Sequence, residues 1–353
     1  RRADGIYALL TEPGAHIYKN DLIVGSLVPL TVEFSDEEKN AAKDIVSAYP
    51  QRSFVTNNDH YAPDYDTVLS IGICGLLGKI ADSEKAHAGD ADALSFLSAM
   101  RITLDGLRER LRQHAALAKE LIGKEGYDRE RLEFIAKNCE NLIDNAPATF
   151  AQGLQLVWMI HTSFVYEGRF AMALGRMDQY LYPLYKKDID NGVMTVEDAL
   201  ELIGSVIAKV CEYHYFWRGA DVVNICIGGV DADDKCAVNE LSYCILQGVK
   251  ENNLPGPNLS ARITPDTPDE FLDECLKSIG TGLGYPALMN DTVNKAALRR
   301  YGYDEADVRN YCMVGCIENF IPGIVFFIFS TNVKYWSFVY FLFIILSIFV
   351  LPD

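Results

Sequence analysis

Asn310-Tyr311-Cys312-Met313-Val314-Gly315-Cys316-Ile317-Glu318-Asn319 sets a cysteine and a glutamate two residues apart behind a glycine. On an extended backbone side chains alternate, so Cys316 and Glu318 project to one face. A thiol and a carboxylate on a common face can act on one substrate. Taken alone the segment says little, because a buried cysteine is usually inert packing.

The surrounding sequence adds four further segments. Leu174-Gly175-Arg176-Met177-Asp178-Gln179-Tyr180-Leu181-Tyr182-Pro183 and Asn239-Glu240-Leu241-Ser242-Tyr243 lie upstream. Leu254-Pro255-Gly256-Pro257-Asn258-Leu259-Ser260-Ala261-Arg262-Ile263 and Gly284-Tyr285-Pro286-Ala287-Leu288-Met289-Asn290-Asp291 lead towards Arg309-Asn310-Tyr311. Together, and in this order, they resemble the glycyl radical enzymes of the pyruvate formate-lyase superfamily, from about Asp4 to Gly323. The resemblance implies an α/β fold: the first half of a ten-stranded glycyl radical enzyme barrel, surrounded by many α-helices, with Gly315-Cys316-Ile317-Glu318 as a finger loop threaded through its centre.

Roles follow from the same resemblance. Cys316 is the expected thiyl radical and Glu318 the expected general base, which must lie within hydrogen-bond reach of its proton. His60 and Asp64, in Asp59-His60-Tyr61-Ala62-Pro63-Asp64-Tyr65, match a His-x3-Asp-Tyr segment of the family and are candidate substrate-binding residues. Arg169, in Glu167-Gly168-Arg169-Phe170, falls where family members vary with substrate, and its forked donors suit a carboxylate or sulfonate. The structural alternatives are a satisfied histidine at position 60 and a solvent-facing salt bridge at position 169. Arg176 and Asp178 read as architectural. Formate lyase itself carries two adjacent cysteines and no following glutamate, whereas Gly315 stands in place of one of them here. The finger therefore resembles the eliminases (diol and hydroxyproline dehydratases, choline lyase, sulfonate lyases), with related decarboxylases behind them.

The implied partners are a small-molecule substrate, a second copy in a homodimer, and a radical S-adenosylmethionine activating enzyme whose iron–sulfur cluster installs the glycyl radical. No cofactor is expected to bind this chain directly. The radical-bearing loop of the family does not follow Cys316, and Arg300-Tyr301-Gly302-Tyr303 precedes the finger, so Gly302 is not assigned that role. The expectation is a partial radical lyase, dehydratase-like and inactive as it stands. The runner-up is a non-catalytic relative that serves as a binding or interaction protein.

Composition is compatible with this. The chain has 353 residues and 49% hydrophobic content, enough for one large core or two. A net charge of -17 argues against nucleic acid, whose phosphates require clustered Lys and Arg. Nine irregularly spaced cysteines and the absence of a secretory signal read as reduced thiols in a cytoplasm. The opening Arg1-Arg2, without methionine, is read as a missing start. Cys312 and Cys316 lack further ligands at metal spacing. Gly228-Gly229 and Gly280-x-Gly282-x-Gly284 lack the strand, Gly-x-Gly-x-x-Gly and helix order of a nucleotide loop.

Along the chain, Leu94, Leu97, Ile102, Leu104, Leu107 and Leu111, then Leu132, Ile135 and Leu142, recur at helical intervals between Asp82 and Asp144. Thr195-Val196-Glu197-Asp198 reads as a capping box, and Thr267-Pro268-Asp269-Glu270 as the same device with proline at the first helical position. Val222 to Gly229 and Asn258 to Ile263 read as strands, and their alternation with helices suggests α/β. From Ile324 to Leu351 the only charged residue is Lys334. Residues 1-323 are thus read as a partial domain of pyruvate formate-lyase type. Residues 324-353 are read as a hydrophobic tail arising from a frame or gene-model artefact. Its alternative is a transmembrane anchor at a membrane, since 28 residues of helix would reach about 40 Å.

Overall fold

The computed structural model describes residues 1–30, 35–48, 60–216 and 222–323. The hydrophobic tail expected over 324–353 lies outside the described residues. Among the described residues no helix is long and apolar enough to cross a membrane.

The first half of the described chain is helical: α1 (Arg2–Thr11), α2 (Asp36–Ala48), α3 (Tyr65–Ala86), α4 (Ala91–Leu121), α5 (Arg129–Asp144) and α6 (Phe150–Tyr166). Short polar side chains start most of them by accepting the free N–H groups of the first turn. Asp90 takes those of Asp92 and Ala93, Asp128 that of Arg131, and Thr149 that of Gln152. Of the periodic residues, Leu97, Leu104, Leu107, Leu111, Leu132, Ile135 and Leu142 are buried, and Leu94 and Ile102 are half-buried. Every residue of α6 is buried, which marks a helix enclosed on all sides. Its polar side chains are used to hold residues 24–26: Gln155 accepts from Val24 N–H and donates to Val24 carbonyl, both at 2.8 Å, and Trp158 donates to Gly25 carbonyl at 3.0 Å.

Strands then alternate with helices. β1 (Ala173–Gly175) is followed by α7 (Met177–Tyr180), α8 (Tyr182–Asp190) and α9 (Val196–Phe216); β2 (Asn224–Gly228) by α10 (Glu240–Asn252); β3 (Asn258–Ile263) by α11 (Asp269–Ser278); and β4 (Ala287–Asn290) by α12 (Asp291–Arg300) and α13 (Glu305–Asn310). The four strands form one parallel sheet in the order β1-β2-β3-β4, as helical crossovers require. A two-stranded antiparallel hairpin, β5 (Cys312–Val314) and β6 (Glu318–Phe320), completes the described chain. Among the described residues, four parallel strands and a hairpin are therefore the chain's share of a barrel. Along β4 half-buried and exposed positions alternate, and Leu288 is one of the exposed ones.

Of the two predicted caps one forms. Thr195 and Asp198 exchange hydrogen bonds through Thr195 Oγ1 and Asp198 Oδ2. At α11 the Thr267 hydroxyl instead accepts from Thr264 N–H at 2.8 Å, and no side chain caps the helix. The turn Thr264–Thr267 outcompetes the helix end for the hydroxyl, a choice open to any short polar side chain.

His114 and His161 lie deep in the helical layer, His161 stacked on Trp158 with ring centroids 5.2 Å apart. Burial lowers both imidazoles from 6.5 to about 3, helped at His114 by the charge of Arg110. Because the unfolded chain then binds protons that the folded one refuses, stability present above about pH 6.5 is lost as pH falls towards 3, by up to about 1.4 kcal/mol per pH unit and histidine. Urea midpoints should accordingly drop steeply from about pH 7 to about pH 4. A flat profile would show that the two rings do not control acid stability.

Candidate active site

Cys316 does not sit on an extended strand. In the hairpin Cys312 pairs with Phe320 and Val314 with Glu318, leaving Gly315, Cys316 and Ile317 as the turn. Gly315 opens the turn with φ +55°, a left-handed conformation that glycine takes without a steric penalty. The expectation of alternating side chains is thus replaced by a tip, with Cys316 in the turn and Glu318 opening β6. The strand leading in, Cys312 to Val314, is wholly buried, whereas Cys316 and Glu318 are exposed.

Two buried arginines hold the base of the hairpin. Arg262, on β3, has no accessible surface; its Nη1 donates to the carbonyls of Tyr311 at 2.7 Å and Arg309 at 3.0 Å, and its Nε to Asp291 Oδ1 at 2.6 Å. Its guanidinium also lies 3.9 Å from the Tyr311 ring centre, while the Tyr311 hydroxyl donates to the same Asp291 oxygen at 2.8 Å. Arg176 donates to Arg309 carbonyl and to the carbonyls of Gly228 and Val230. Burial and the neighbouring Arg262 bring Arg176 down to about 10, so it keeps its charge at neutral pH. Asp178 is buried beside it and accepts from Gly228 N–H and the Ser242 hydroxyl. The Gly-Arg-Met-Asp motif is architectural, joining β1 and β2 to α10 and to the hairpin.

Above this base, the tip is held by side chains that sequence reasoning did not single out. Asn224 and Asn258 stand opposite each other at the starts of β2 and β3. Asn224 Nδ2 donates to Gly315 and Cys316 carbonyls at 3.4 and 3.1 Å, and Asn258 Nδ2 to Gly315 carbonyl at 3.3 Å. The Tyr285 hydroxyl donates to Asn258 Oδ1. The Asn of the Pro-Gly-Pro-Asn run and the Tyr of Gly-Tyr-Pro-Ala were visible in the motifs; their partner was not, because it comes from a hairpin tens of residues away.

His60 lies against the same tip. A Cβ built on Gly315 would stand 2.5 Å from His60 Nε2 and 2.9 Å from Glu318 Oε2, so the missing side chain is what admits both groups. Glu318 Oε2 also accepts Ile317 N–H at 3.0 Å. His60 reaches this place with φ +69°, a conformation costing about 1–2 kcal/mol outside glycine. Neighbouring chain enforces it: His60 N–H donates to Phe170 carbonyl, Ala173 N–H to Tyr61 carbonyl, and Gly323 N–H to Ala62 carbonyl. The segment 60–64 is thereby threaded between the approach to β1 and the exit of the hairpin.

The structure places His60 and Glu318 against Gly315, next to Cys316 in the turn, and does not place the other two candidates there. Asp64 caps α3, with Oδ1 accepting Thr67 N–H at 3.0 Å and Oδ2 accepting the Thr67 hydroxyl at 2.6 Å. Arg169 has no accessible surface; its Nε donates to Glu167 Oε2 at 2.9 Å, and it lies beneath the rings of Tyr61 and Phe164. The pair is buried and not the solvent-facing salt bridge of the alternative reading. Thiol environments also separate. Burial raises Cys226 to about 11 and pushes Cys312 higher still, so both remain protonated. Cys316 is the one exposed cysteine of the nine.

A family model described as pyruvate formate lyase-like matches residues 30–336. "Probable dehydratase YbiW" of Escherichia coli K12 is 32% identical, over 82% of this chain and 38% of that protein. The (2S)-3-sulfopropanediol dehydratase of Klebsiella oxytoca is 31% identical, over 77% and 36% respectively. Among solved structures, the glycerol-bound B12-independent glycerol dehydratase of Clostridium butyricum superposes with a TM-score of 0.79 at 27% identity, covering 91% of this chain and 50% of that one. A Roseburia inulinivorans protein studied for 1,2-propanediol dehydration gives 0.81 at 25% identity, covering 91% and 49%. This chain therefore spans about half the length of the solved relatives and just over a third of the curated ones.

Proposed function

The chain belongs to the pyruvate formate lyase-like family, and on that premise we propose that it is the half-barrel and finger of a glycyl radical eliminase acting on a small hydroxylated substrate. The observation that carries this reading is the gathering of a solvent-facing thiol, a carboxylate and an imidazole on one hairpin tip, over a glycine whose Cβ would displace two of them. The radical-bearing glycine and the far wall of the pocket come from sequence outside the chain. A second copy and a radical S-adenosylmethionine activating enzyme are the proposed partners.

The residues present fit a radical relayed through sulfur, because Cys316 is exposed on a turn anchored from below while the neighbouring thiols are sealed in. A glycyl radical, when present, supplies the acceptor for the Cys316 thiol hydrogen. The Cys316 sulfur then takes a hydrogen atom from the substrate carbon that carries a hydroxyl, forming S–H and leaving the unpaired electron on carbon. Glu318 removes the hydroxyl proton, which has become more acidic beside the radical centre; this is general base catalysis. The bond to the leaving group on the adjacent carbon breaks with its electron pair, and His60 hydrogen-bonds the departing group. Cys316 finally returns its hydrogen atom to the product carbon. Glu318, with a carboxylate next to that tip, suits elimination better than acyl transfer, which needs a second nucleophilic sulfur where Gly315 stands.

The test is anaerobic activation of the full-length protein followed by electron paramagnetic resonance and product analysis with small vicinal diols, sulfonated diols and amino alcohols. A glycyl doublet and conversion of at least one of these to a carbonyl product are expected. A stable doublet with every substrate returned unchanged would overturn the eliminase reading.

A further inference from the structure

We propose that Tyr285, Asn258 and Asn224 form a clamp that positions the Gly315–Cys316 turn for hydrogen-atom transfer, and that Asn224 is kept there at a cost to folding stability. The proposal builds on the radical reading above. Its starting point is register: Asn224 and Asn258 are direct neighbours across β2 and β3, so their side chains leave the sheet on one side. Both amides converge on Gly315 carbonyl, and Asn224 reaches Cys316 carbonyl as well. An amide can turn end for end, and the Tyr285 hydroxyl prevents this at Asn258 by donating to its oxygen, which leaves the nitrogen aimed at the turn. Two hydrogen bonds on successive carbonyls restrict the peptide plane that carries the Cys316 Cα, and with it the arc the sulfur can sweep.

Asn224 shows that the arrangement is more than structural cement. It is wholly buried, yet among the described residues its Oδ1 has no hydrogen-bond partner. A buried carbonyl oxygen left unpaired is destabilising. Leucine at this position would remove that oxygen, and the Gly315 carbonyl would keep Asn258 as a donor. Asparagine is of use there only for the two carbonyls it holds. Tyr285 fits the same logic, since burial raises its hydroxyl and the nearby Cys316 sulfur adds to the effect. Its proton stays in place and is directed at Asn258.

The experiment labels Cys316, the one exposed cysteine, with a nitroxide in the 353-residue chain, and uses Cys316→Ser to subtract any label at Cys74 or Cys236. The parent label should be immobilised, and Asn224→Leu and Tyr285→Phe should each loosen it, Asn224→Leu with an unchanged or raised thermal midpoint. Tyr285→Phe should add nothing to Asn258→Leu, because it acts through that residue. In activated full-length protein Asn224→Leu should lower kcat by about ten- to a hundred-fold, the scale of a misplaced reacting group, with little change in KM. An immobile label in a destabilised Asn224→Leu, additive effects of Tyr285→Phe and Asn258→Leu, or a mobile label with undiminished kcat would each overturn the clamp. A parent that never turns over, with labels that still loosen in the variants, would sink the radical reading and leave the clamp supported.

Discussion

Replacing Cys316 with serine in the activated full-length protein is expected to abolish turnover, by at least about four orders of magnitude, while the glycyl radical signal persists. The reasoning is one of bond strength and position. A serine O–H is too strong to exchange a hydrogen atom with carbon in both directions, whereas a thiol S–H is close enough in strength to do so. The site offers no substitute. Cys312 lies only a few residues away in sequence, but it is buried in β5 and held protonated by that burial. Because Cys316 is exposed, the substitution should leave the thermal midpoint unmoved. Glu318→Gln is the companion variant. It keeps the shape and the contact with Ile317 N–H but cannot accept a proton, and a loss of about a hundred- to ten-thousand-fold is expected if the carboxylate is the base. Retention of activity in Cys316→Ser would remove the thiol from the mechanism altogether.

Replacing Arg262 with methionine should cost about 3–5 kcal/mol of folding stability, because it strips a wholly buried carboxylate of its main partner. Asp291 would be left with the Tyr311 hydroxyl and with Lys295, whose ammonium lies 3.4 Å from Asp291 Oδ2. The Tyr311 carbonyl would lose the Arg262 donor, the Arg309 carbonyl would keep only Arg176 of its two arginines, and the Tyr311 ring would lose its overlying cation. Against a typical total of about 5–15 kcal/mol the loss is large, and it should appear as a shift in the urea midpoint. The double variant Arg262→Met, Asp291→Leu separates the terms. Removing both charges leaves no uncompensated ion, so a substantial part of the loss should return. A single variant within about 1 kcal/mol of the parent would mean that the buried pair is no stronger than a surface one.

The two arginines illustrate how much could be read in advance. Arg176 and Asp178 were legible as architecture from their motif. That Arg262 shares Arg309 carbonyl with Arg176 was not, because the meeting point is a backbone atom contributed by a third segment. The strand Asn258–Ile263 and the helices between Asp82 and Asp144 were legible because period and turn residues act locally. The cap at Thr267 was misread because two local partners competed for one hydroxyl and the turn prevailed. The finger was identified by its residues but drawn with the wrong backbone: an isolated Gly-Cys-Ile-Glu has no means of announcing that its flanks pair with each other.

By itself the amino-acid sequence determined the kinds of groups available and their order along the chain: a thiol, a carboxylate and a permissive glycine at 315–318, and a histidine far upstream. Tertiary structure decided which of them meet. It took His60 to the glycine by backbone pairing of segment 60–64 with two distant segments, withdrew Asp64 into a helix cap and Arg169 beneath aromatic rings, and supplied Asn224, Asn258 and Tyr285 as holders of the tip. The physical reason is range. Propensity and capping act over a few residues, whereas a hydrogen bond to a turn's carbonyl depends on where the folded sheet carries its donors.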